Sequence, residues 1–344
     1  MTANCTNAPD AVPSDAGVAG VGVLLSFIIT AGISLVLSAS LIFQEARSRN
    51  SSSESVLRRK LLNSYSDQQI LTGIGLQSIG LGKVSSMVPY HFFLVWMLSL
   101  LSMAVHNATL LALARDFRRD WVLRWMRQLL MLANLVLSCV YGVYVLRAVE
   151  RGINDSTFPV SCVWDAATPD YPPSGNYALS FAGTIVVIAG NVLIFALSTW
   201  YLHARTQRFY VVLQVVGLLL MTAFAIGATV RVAYLADAFA SGTPIKLSDD
   251  GERQWSFGQL LSVGMLVLPL VSVVEILRGE IKCAPPVAMV YDDDKGVLLG
   301  EGGSGSGSEG EQQELRARSN PGVRRAADFQ PNPLWGSQTN LFKK

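Results

Sequence analysis

Polar side chains that could do chemistry lie inside long apolar runs of this sequence. Five of them are candidates for an intramembrane polar site: His106, Asn107, Asn191, Arg231 and Glu275. Ionisable groups are costly at membrane depth, so they often serve ligand binding, ion passage or proton transfer. Such side chains also hold helices together through hydrogen bonds, which is the commoner role of a buried histidine or asparagine. The sequence leaves both interpretations open.

The two charged candidates lie near the ends of their apolar runs. Arg231 can extend its guanidinium toward the membrane surface. Glu275 precedes Arg278 by three residues, so the two can pair on one face of a helix. No apolar run carries two carboxylates at helical spacing. A proton relay therefore has little support.

The sequence does not match the known motifs of a zinc protease or a phosphate-binding loop. The chain lacks an H-E-x-x-H motif and has three histidines, which makes a histidine metal site improbable: His91, His106 and His203. The glycine-rich stretch 75–85 differs from a phosphate-binding loop, because Gln77 replaces the first glycine and Val84 replaces the hydroxyl residue. We expect no cofactor and no metal, and a non-enzymatic protein is favoured over an enzyme.

The elements that position these residues are predicted to be membrane-spanning helices. Of 344 residues, 51% are hydrophobic and 15% are charged, and the mean hydropathy is +0.37. These values are typical of a multi-pass membrane protein. Six apolar runs are long enough to cross about 30 Å of hydrocarbon. They cover residues 17–43, 89–114, 121–148, 176–203, 209–236 and 255–277.

The polar segment 66–88 decides the topology. The loops 45–60 and 115–127 each carry five Lys or Arg residues. Both loops fall on the cytoplasmic side only if the segment between them crosses the membrane, as the positive-inside rule favours. Its Gly73, Gly80 and Gln77 suit close packing and hydrogen bonding between helices, and Ser66 resembles an N-terminal cap.

We therefore predict an all-α, polytopic membrane bundle of seven transmembrane helices, with the N-terminus outside and the C-terminus in the cytoplasm. Residues 1–15 form an outer tail and residues 16–280 the transmembrane domain. Residues 281–344 contain a Gly/Ser/Glu tract and no apolar period, which indicates a disordered cytoplasmic tail. The plasma membrane or another membrane of the secretory pathway is the expected location.

The cysteines and glycosylation sequons fit this topology. Cys5 and Cys162 both fall outside, where a disulfide can form. Asn4 and Asn154 begin outer N-x-S/T sequons, which predicts N-glycosylation. Cys283 follows the last span and is a candidate for palmitoylation.

Two families of seven-helix proteins are not supported. Residues 259–277 contain no lysine that could carry retinal, as a microbial rhodopsin requires. A rhodopsin-like receptor would carry N-P-x-x-Y in the last span and an acid-Arg-aromatic triplet, whereas residues 115–117 read R-D-F.

The segment S-D-Q-Q-x-x-T-G-I at residues 66–74, together with Y-H-F at 90–92 and R-D-F at 115–117, carries a resemblance. On these motifs the chain resembles a group of uncharacterised multi-pass integral membrane proteins from filamentous ascomycete fungi. The resemblance covers about residues 1–280 and implies a fungal integral membrane protein.

Three functions are compatible with this sequence. The first is a non-enzymatic, receptor-like or scaffolding protein that meets a cytoplasmic protein partner through its basic inner loops and tail. The second is a small-solute or proton-coupled transporter or channel, with His106, Asn107 and Asn191 along a path. The third is an intramembrane lipid- or terpene-modifying enzyme, for which Glu275 is the span carboxylate. The net charge of +2 indicates no nucleic-acid partner, and the ligand is unknown.

Overall fold

The computed structural model describes residues 5–47, 54–117, 121–166, 168, 177–203, 210–239 and 245–278. Within these ranges the chain is helical and has no strand, apart from an isolated β-bridge between Val12 and Leu247. The predicted all-α fold is therefore confirmed. The predicted tail 281–344, Asn4 and Cys283 lie outside the described residues.

The described residues form nine α-helices. In chain order they are α1 (Ala16–Ala19), α2 (Val21–Arg47), α3 (Glu54–Gly82), α4 (Pro89–Phe117), α5 (Trp121–Glu150), α6 (Tyr177–His203), α7 (Tyr210–Leu235), α8 (Phe257–Gly264) and α9 (Leu268–Leu277). Two 3₁₀ segments, Val160–Trp164 and Met265–Val267, lie after α5 and between α8 and α9.

Five helical stretches of the described chain are long and apolar enough to cross a membrane. They are Ala16–Glu45, Pro89–Ala114, Arg124–Glu150, Ala178–His203 and Val211–Leu235. Their lengths of 25 to 30 residues exceed the roughly 20 that a span needs. The chain is therefore a membrane-embedded protein.

The other two predicted spans have a different form. The helix predicted at 66–88 extends from Glu54 to Gly82, so Ser66 lies in its interior and does not cap it. Helix α3 contains polar residues such as Asp67, Gln68 and Gln69, and its mean hydropathy is therefore below that of the five apolar stretches. The run predicted at 255–277 is divided into α8, a 3₁₀ segment and α9, and its apolar helical stretch, Phe257–Val271, is shorter than a span.

Helix α4 lies at the centre of the bundle. It packs against α2, α3, α5, α6 and α7, and Leu94, Leu98 and Leu101 on it are completely buried. A helix that is apolar on all faces is stable in such a position because every face meets another helix. Inside the membrane, close packing rather than burial from water favours these contacts.

Glycines on α3 allow its close approach to α4 and α5, as the sequence predicted. A Cβ at Gly73 would lie 2.5 Å from the Ser102 Oγ of α4, and one at Gly80 would lie 2.0 Å from the Tyr141 Oη of α5. Gln77 donates a hydrogen bond from Nε2 to Asn134 Oδ1 on α5, at 2.5 Å. This face of α3 is enclosed, whereas Leu71, Ser78 and Ile79 are exposed.

The two ends of the bundle differ in their contacts. At one end, here named the capped end, the segment before α2 contacts the connections that follow α3, α5 and α7. Lys83 after α3 pairs with Asp15 at 2.7 Å, and Val12 N–H donates to the Lys246 carbonyl after α7. Cys5 is disulfide-bonded to Cys162 after α5, with Cα atoms 5.5 Å apart. At the opposite, basic end, Arg59 pairs with Asp116 at 2.7 Å, and Arg127 pairs with Asp67 and donates to Asn63.

The capped end is rich in hydrogen bonds between segments distant in sequence. The Ser14 hydroxyl donates to Asp249 Oδ1, which also accepts from the Gly251 N–H. The Ser14 and Gly251 hydrogen bonds hold the pKa of the exposed Asp249 carboxyl below its ordinary value. The described parts of the connections at this end are therefore joined to one another by hydrogen bonds over the helices.

Candidate functional site

A cavity of about 350 Å³ lies at the capped end, between α4, α5, α6 and α7. On α4 its lining extends from Pro89 to Leu100, and on α7 from Ala223 to Leu235. The cavity therefore occupies the half of the bundle next to the cap. Its volume is within the range of about 300–1,000 Å³ that small-molecule sites occupy.

Helices α6 and α7 contact each other below the cavity. The Phe224 ring of α7 lies over Gly190 of α6, where a Cβ would be 2.7 Å from Phe224 Cζ. Nearer the cap, both helices present glycines to the cavity, Gly183 and Gly227. A Cβ at either of these two glycines would meet nothing within 4 Å. The missing side chains leave the space open.

Aromatic side chains form much of the wall. They are Tyr90, Phe92, Phe93, Trp96, Tyr144 and Phe224. Neighbouring rings contact one another, with Phe93 and Trp96 centroids 5.8 Å apart and Phe92 and Tyr144 centroids 5.5 Å apart. Trp96 is 2% exposed, yet its indole Nε1–H has no hydrogen-bond partner among the described residues. A buried indole N–H usually finds a partner, so this unpaired donor is notable.

The charged groups of the cavity lie at its mouth. Arg231, an expected site residue, lies one turn beyond Gly227 on the same face of α7, and Asp155 follows α5. Both side chains are exposed. No hydrogen bond or ion pair joins either of them to another described residue, or to each other. An apolar pocket with a cation and an anion at its entrance suits a ligand that has both an apolar part and a polar head.

A separate polar network holds α3, α4 and α5 together. The Ser102 hydroxyl donates to the Gln69 carbonyl at 3.0 Å and lies 3.0 Å from His106 Nε2. Because the Ser102 hydroxyl proton is donated to the Gln69 carbonyl, the Ser102 oxygen accepts a hydrogen bond from His106 Nε2–H. His106 Nδ1 has no partner in the described structure. His106 is completely buried and does not line the cavity. This geometry favours the helix-holding role.

The structure separates the three residues expected along a transport path. Asn107 Nδ2 donates to Asn191 Oδ1 at 3.4 Å and contacts Met221 Sδ at 3.3 Å, so this pair lies between α4, α6 and α7. His106 instead faces the α3 side through Ser102. Asn107 and Asn191 are brought together, and His106 is not with them.

Two further expected residues are Glu275 and Asn154. Glu275 is in α9, and its side chain is outside the described structure. Asn154 is half-buried and lines the cavity beside Asp155. Among the described residues, no group of three or more His, Cys, Asp or Glu side chains could hold a metal ion.

A buried acid that the sequence did not indicate anchors the cap. Glu252 is completely buried, and its carboxylate lies 2.6 Å from His91 Nε2 and accepts from the Tyr90 hydroxyl at 3.0 Å. Proline at the first position of α4 fixes the helix start that presents Tyr90 and His91. The motif Y-H-F marked these residues, but no spacing connects them to an acid about 160 residues later.

Comparisons with protein families, with curated proteins and with solved structures find no match to this chain. Its function is therefore inferred from the geometry of the molecule.

Proposed function

We propose that this chain is a non-enzymatic, receptor-like membrane protein of seven spans that binds a small amphipathic molecule in the cavity at its capped end. The observation that carries the proposal is the cavity itself, which is lined by aromatic rings and has Arg231 and Asp155 at its mouth. Five apolar helices supply five of the spans.

The two further spans are α3 and the α8–α9 segment. The 29 residues of α3 extend about 44 Å at 1.5 Å per residue, which exceeds the hydrocarbon thickness of about 30 Å. Many of its polar groups face α4 and α5 rather than lipid, as Gln77 and Gln69 do. Residues 257–277 extend about 31 Å on the same scale, long enough to cross with little tilt.

The distribution of basic residues supports an orientation with the basic end in the cytoplasm. Positively charged loops favour that side. The capped end then lies outside, where Cys5 and Cys162 stay oxidised and Asn154 is available for glycosylation. A cytoplasmic protein partner would meet the basic end. The resemblance to fungal membrane proteins agrees with this assignment.

The inner half of the bundle favours a receptor-like role over a transporter. Below the cavity the core is filled by buried apolar side chains, among them Met103, Leu110, Leu113 and Phe195. The cavity lining stops at Leu100 on α4, and neither His106 nor Asn107 reaches it. The enzyme alternative requires Glu275, whose side chain lies outside the described structure.

Filling the cavity tests the proposal. Gly183→Trp places an indole in open space beside the cavity, so it should exclude the ligand without displacing a neighbour. Protein purified in nanodiscs should carry a co-purifying small molecule, measured by extraction and mass spectrometry, and Gly183→Trp should reduce its amount at least tenfold.

The matched control is Gly32→Trp on α2. Gly32 is exposed, meets nothing within 4 Å and lies outside the cavity lining. The control should carry the same molecules as the parent. Equal sets of bound molecules in parent, Gly183→Trp and Gly32→Trp would contradict a ligand site in this cavity.

A further inference from the structure

The charges at the mouth of the cavity indicate which kind of head group it accepts. Arg231 and Asp155 line the same cavity, carry opposite charges and form no ion pair with each other or with another described residue. A guanidinium binds phosphate or carboxylate well because its planar donors match their oxygens. A carboxylate binds an ammonium group. Two unpaired opposite charges therefore suit one ligand that carries both a phosphate and an ammonium.

The body of the cavity indicates the rest of the ligand. Aromatic rings and small aliphatic residues form its wall, which suits a hydrocarbon chain. Its volume of about 350 Å³ is near the lower limit for small-molecule sites, so it admits one chain rather than two.

The position in the membrane agrees with such a ligand. Arg231 lies near the capped end of α7, and Asp155 follows the end of α5. Interfacial arginines near helix ends reach the level of lipid head groups. A molecule with its head between Arg231 and Asp155 would therefore have its chain among the aromatic rings, at the depth where lipid chains lie.

We propose that the cavity binds a zwitterionic phospholipid-type amphiphile, with its phosphate on Arg231, its ammonium on Asp155 and one hydrocarbon chain in the aromatic pocket. This inference rests on the proposed ligand-binding function and names its ligand class. The shared chemistry is the phosphoethanolamine or phosphocholine head group. It could come from a single-chain lysophospholipid or from one chain of a bilayer lipid, and the single-chain form is the better match for the volume.

The experiment measures binding of defined probes to the full-length protein in nanodiscs by native mass spectrometry. The probes are lysophosphatidylethanolamine, lysophosphatidic acid, which lacks the ammonium, and diacyl phosphatidylethanolamine. We expect the parent to bind lysophosphatidylethanolamine at least tenfold more tightly than lysophosphatidic acid. Diacyl lipid should compete more weakly than the lyso form, and stronger competition would assign the site to a bilayer lipid and contradict the single-chain assignment.

Substitutions at the mouth separate the two head-group contacts. Asp155→Asn should remove the preference for the ammonium, so that both lyso lipids bind within about twofold of each other. Arg231→Gln should weaken both lyso lipids by at least tenfold, because both carry the phosphate. Asp10→Asn and Lys246→Gln, at exposed charges of the capped end outside the cavity lining, should leave all affinities unchanged.

The failures of the two proposals are distinguishable. If Gly183→Trp abolishes binding of a co-purifying molecule but Asp155→Asn and Arg231→Gln leave the head-group preference intact, the cavity is a ligand site and the zwitterionic assignment is wrong. If the lyso lipids bind the parent and Gly183→Trp equally, they bind elsewhere and the zwitterionic assignment is wrong. The ligand-site proposal fails with it only if the parent and Gly183→Trp also carry the same co-purifying molecules.

Discussion

At the scale of single residues, Gly80 sets how closely α3 approaches α5. A Cβ at this position would lie 2.0 Å from Tyr141 Oη and 3.2 Å from Tyr141 Cζ. The tyrosine is fixed, since its hydroxyl donates to the Gln77 carbonyl at 2.8 Å and its ring stacks on Phe92 with centroids 4.0 Å apart. A methyl group at residue 80 therefore has no space.

We predict that Gly80→Ala lowers the free energy of unfolding by about 1–3 kcal/mol, the usual cost of an overpacked core. Thermal unfolding of the detergent-solubilised protein measures the change. Tyr141→Phe in the same chain removes the clashing oxygen and should restore part of the loss.

Gly75→Ala is the matched control on the same helix, because a Cβ there meets nothing within 4 Å. It should be neutral or stabilising by up to about 1 kcal/mol, from the higher helix propensity of alanine. Equal melting temperatures for the Gly80 and Gly75 variants would show that α3 does not pack on Tyr141 as described.

The sequence was sufficient to identify Gly73, Gly80 and Gln77 as packing residues, since small and amide side chains in an apolar bundle have few other roles. It was not sufficient to identify their partners. Ser102 and Tyr141 meet α3 only because of the rotation of α4 and α5, which depends on packing of the whole bundle.

At the scale of elements, the connection between α7 and α8 is fastened to the start of α4. Glu252 is completely buried in this connection and contacts both His91 and Tyr90. The Tyr90 hydroxyl also accepts from the Asp237 N–H at 2.8 Å, and Val21 N–H donates to the Glu252 carbonyl at 3.1 Å. Glu252 and Tyr90 thus join α2, α4 and the segment after α7.

We predict that Glu252→Ala destabilises the protein by about 3–5 kcal/mol, the usual cost of leaving a buried partner uncompensated. It should also make the connection 245–256 sensitive to proteolysis from the capped end. Thermal unfolding and limited proteolysis measure these effects. Asp250→Ala, at an exposed neighbour in the same connection, should change neither. Equal protease sensitivity in the two variants would contradict the anchoring role of Glu252.

The order of helices was predictable from apolar runs, but the cavity between them was not. Gly183, Gly190, Gly217 and Gly227 look alike in sequence. The Phe224 side chain fills the space beside Gly190, and the Leu111 side chain fills the space beside Gly217. The space beside Gly183 and Gly227 stays open. The relative placement of α4, α6 and α7 distinguishes these glycines. The sequence did not predict that α3 begins at Glu54, because the first turns of this helix are too polar to resemble a membrane span.

At the scale of the whole molecule, charge and covalent bonding divide the bundle into two ends. The capped end carries the disulfide, the cavity mouth and the anchored connection. The basic end carries the pairs Arg59–Asp116 and Arg127–Asp67. Placing both basic loops on one side of a membrane requires α3 to cross it, so the orientation and the number of spans are tested together.

We predict that Asp10→Cys is labelled by a membrane-impermeant maleimide in intact cells, whereas Arg278→Cys is labelled only after permeabilisation. Asp10 is exposed before α2 and Arg278 is exposed after α9, so both positions are accessible to a reagent on their own side. An odd number of spans must place them on opposite sides, because each span reverses the side of the chain. The parent chain, treated in the same way, corrects for labelling of its native cysteines. Labelling of both variants in intact cells would mean an even number of spans, and either α3 or the α8–α9 segment would then not cross.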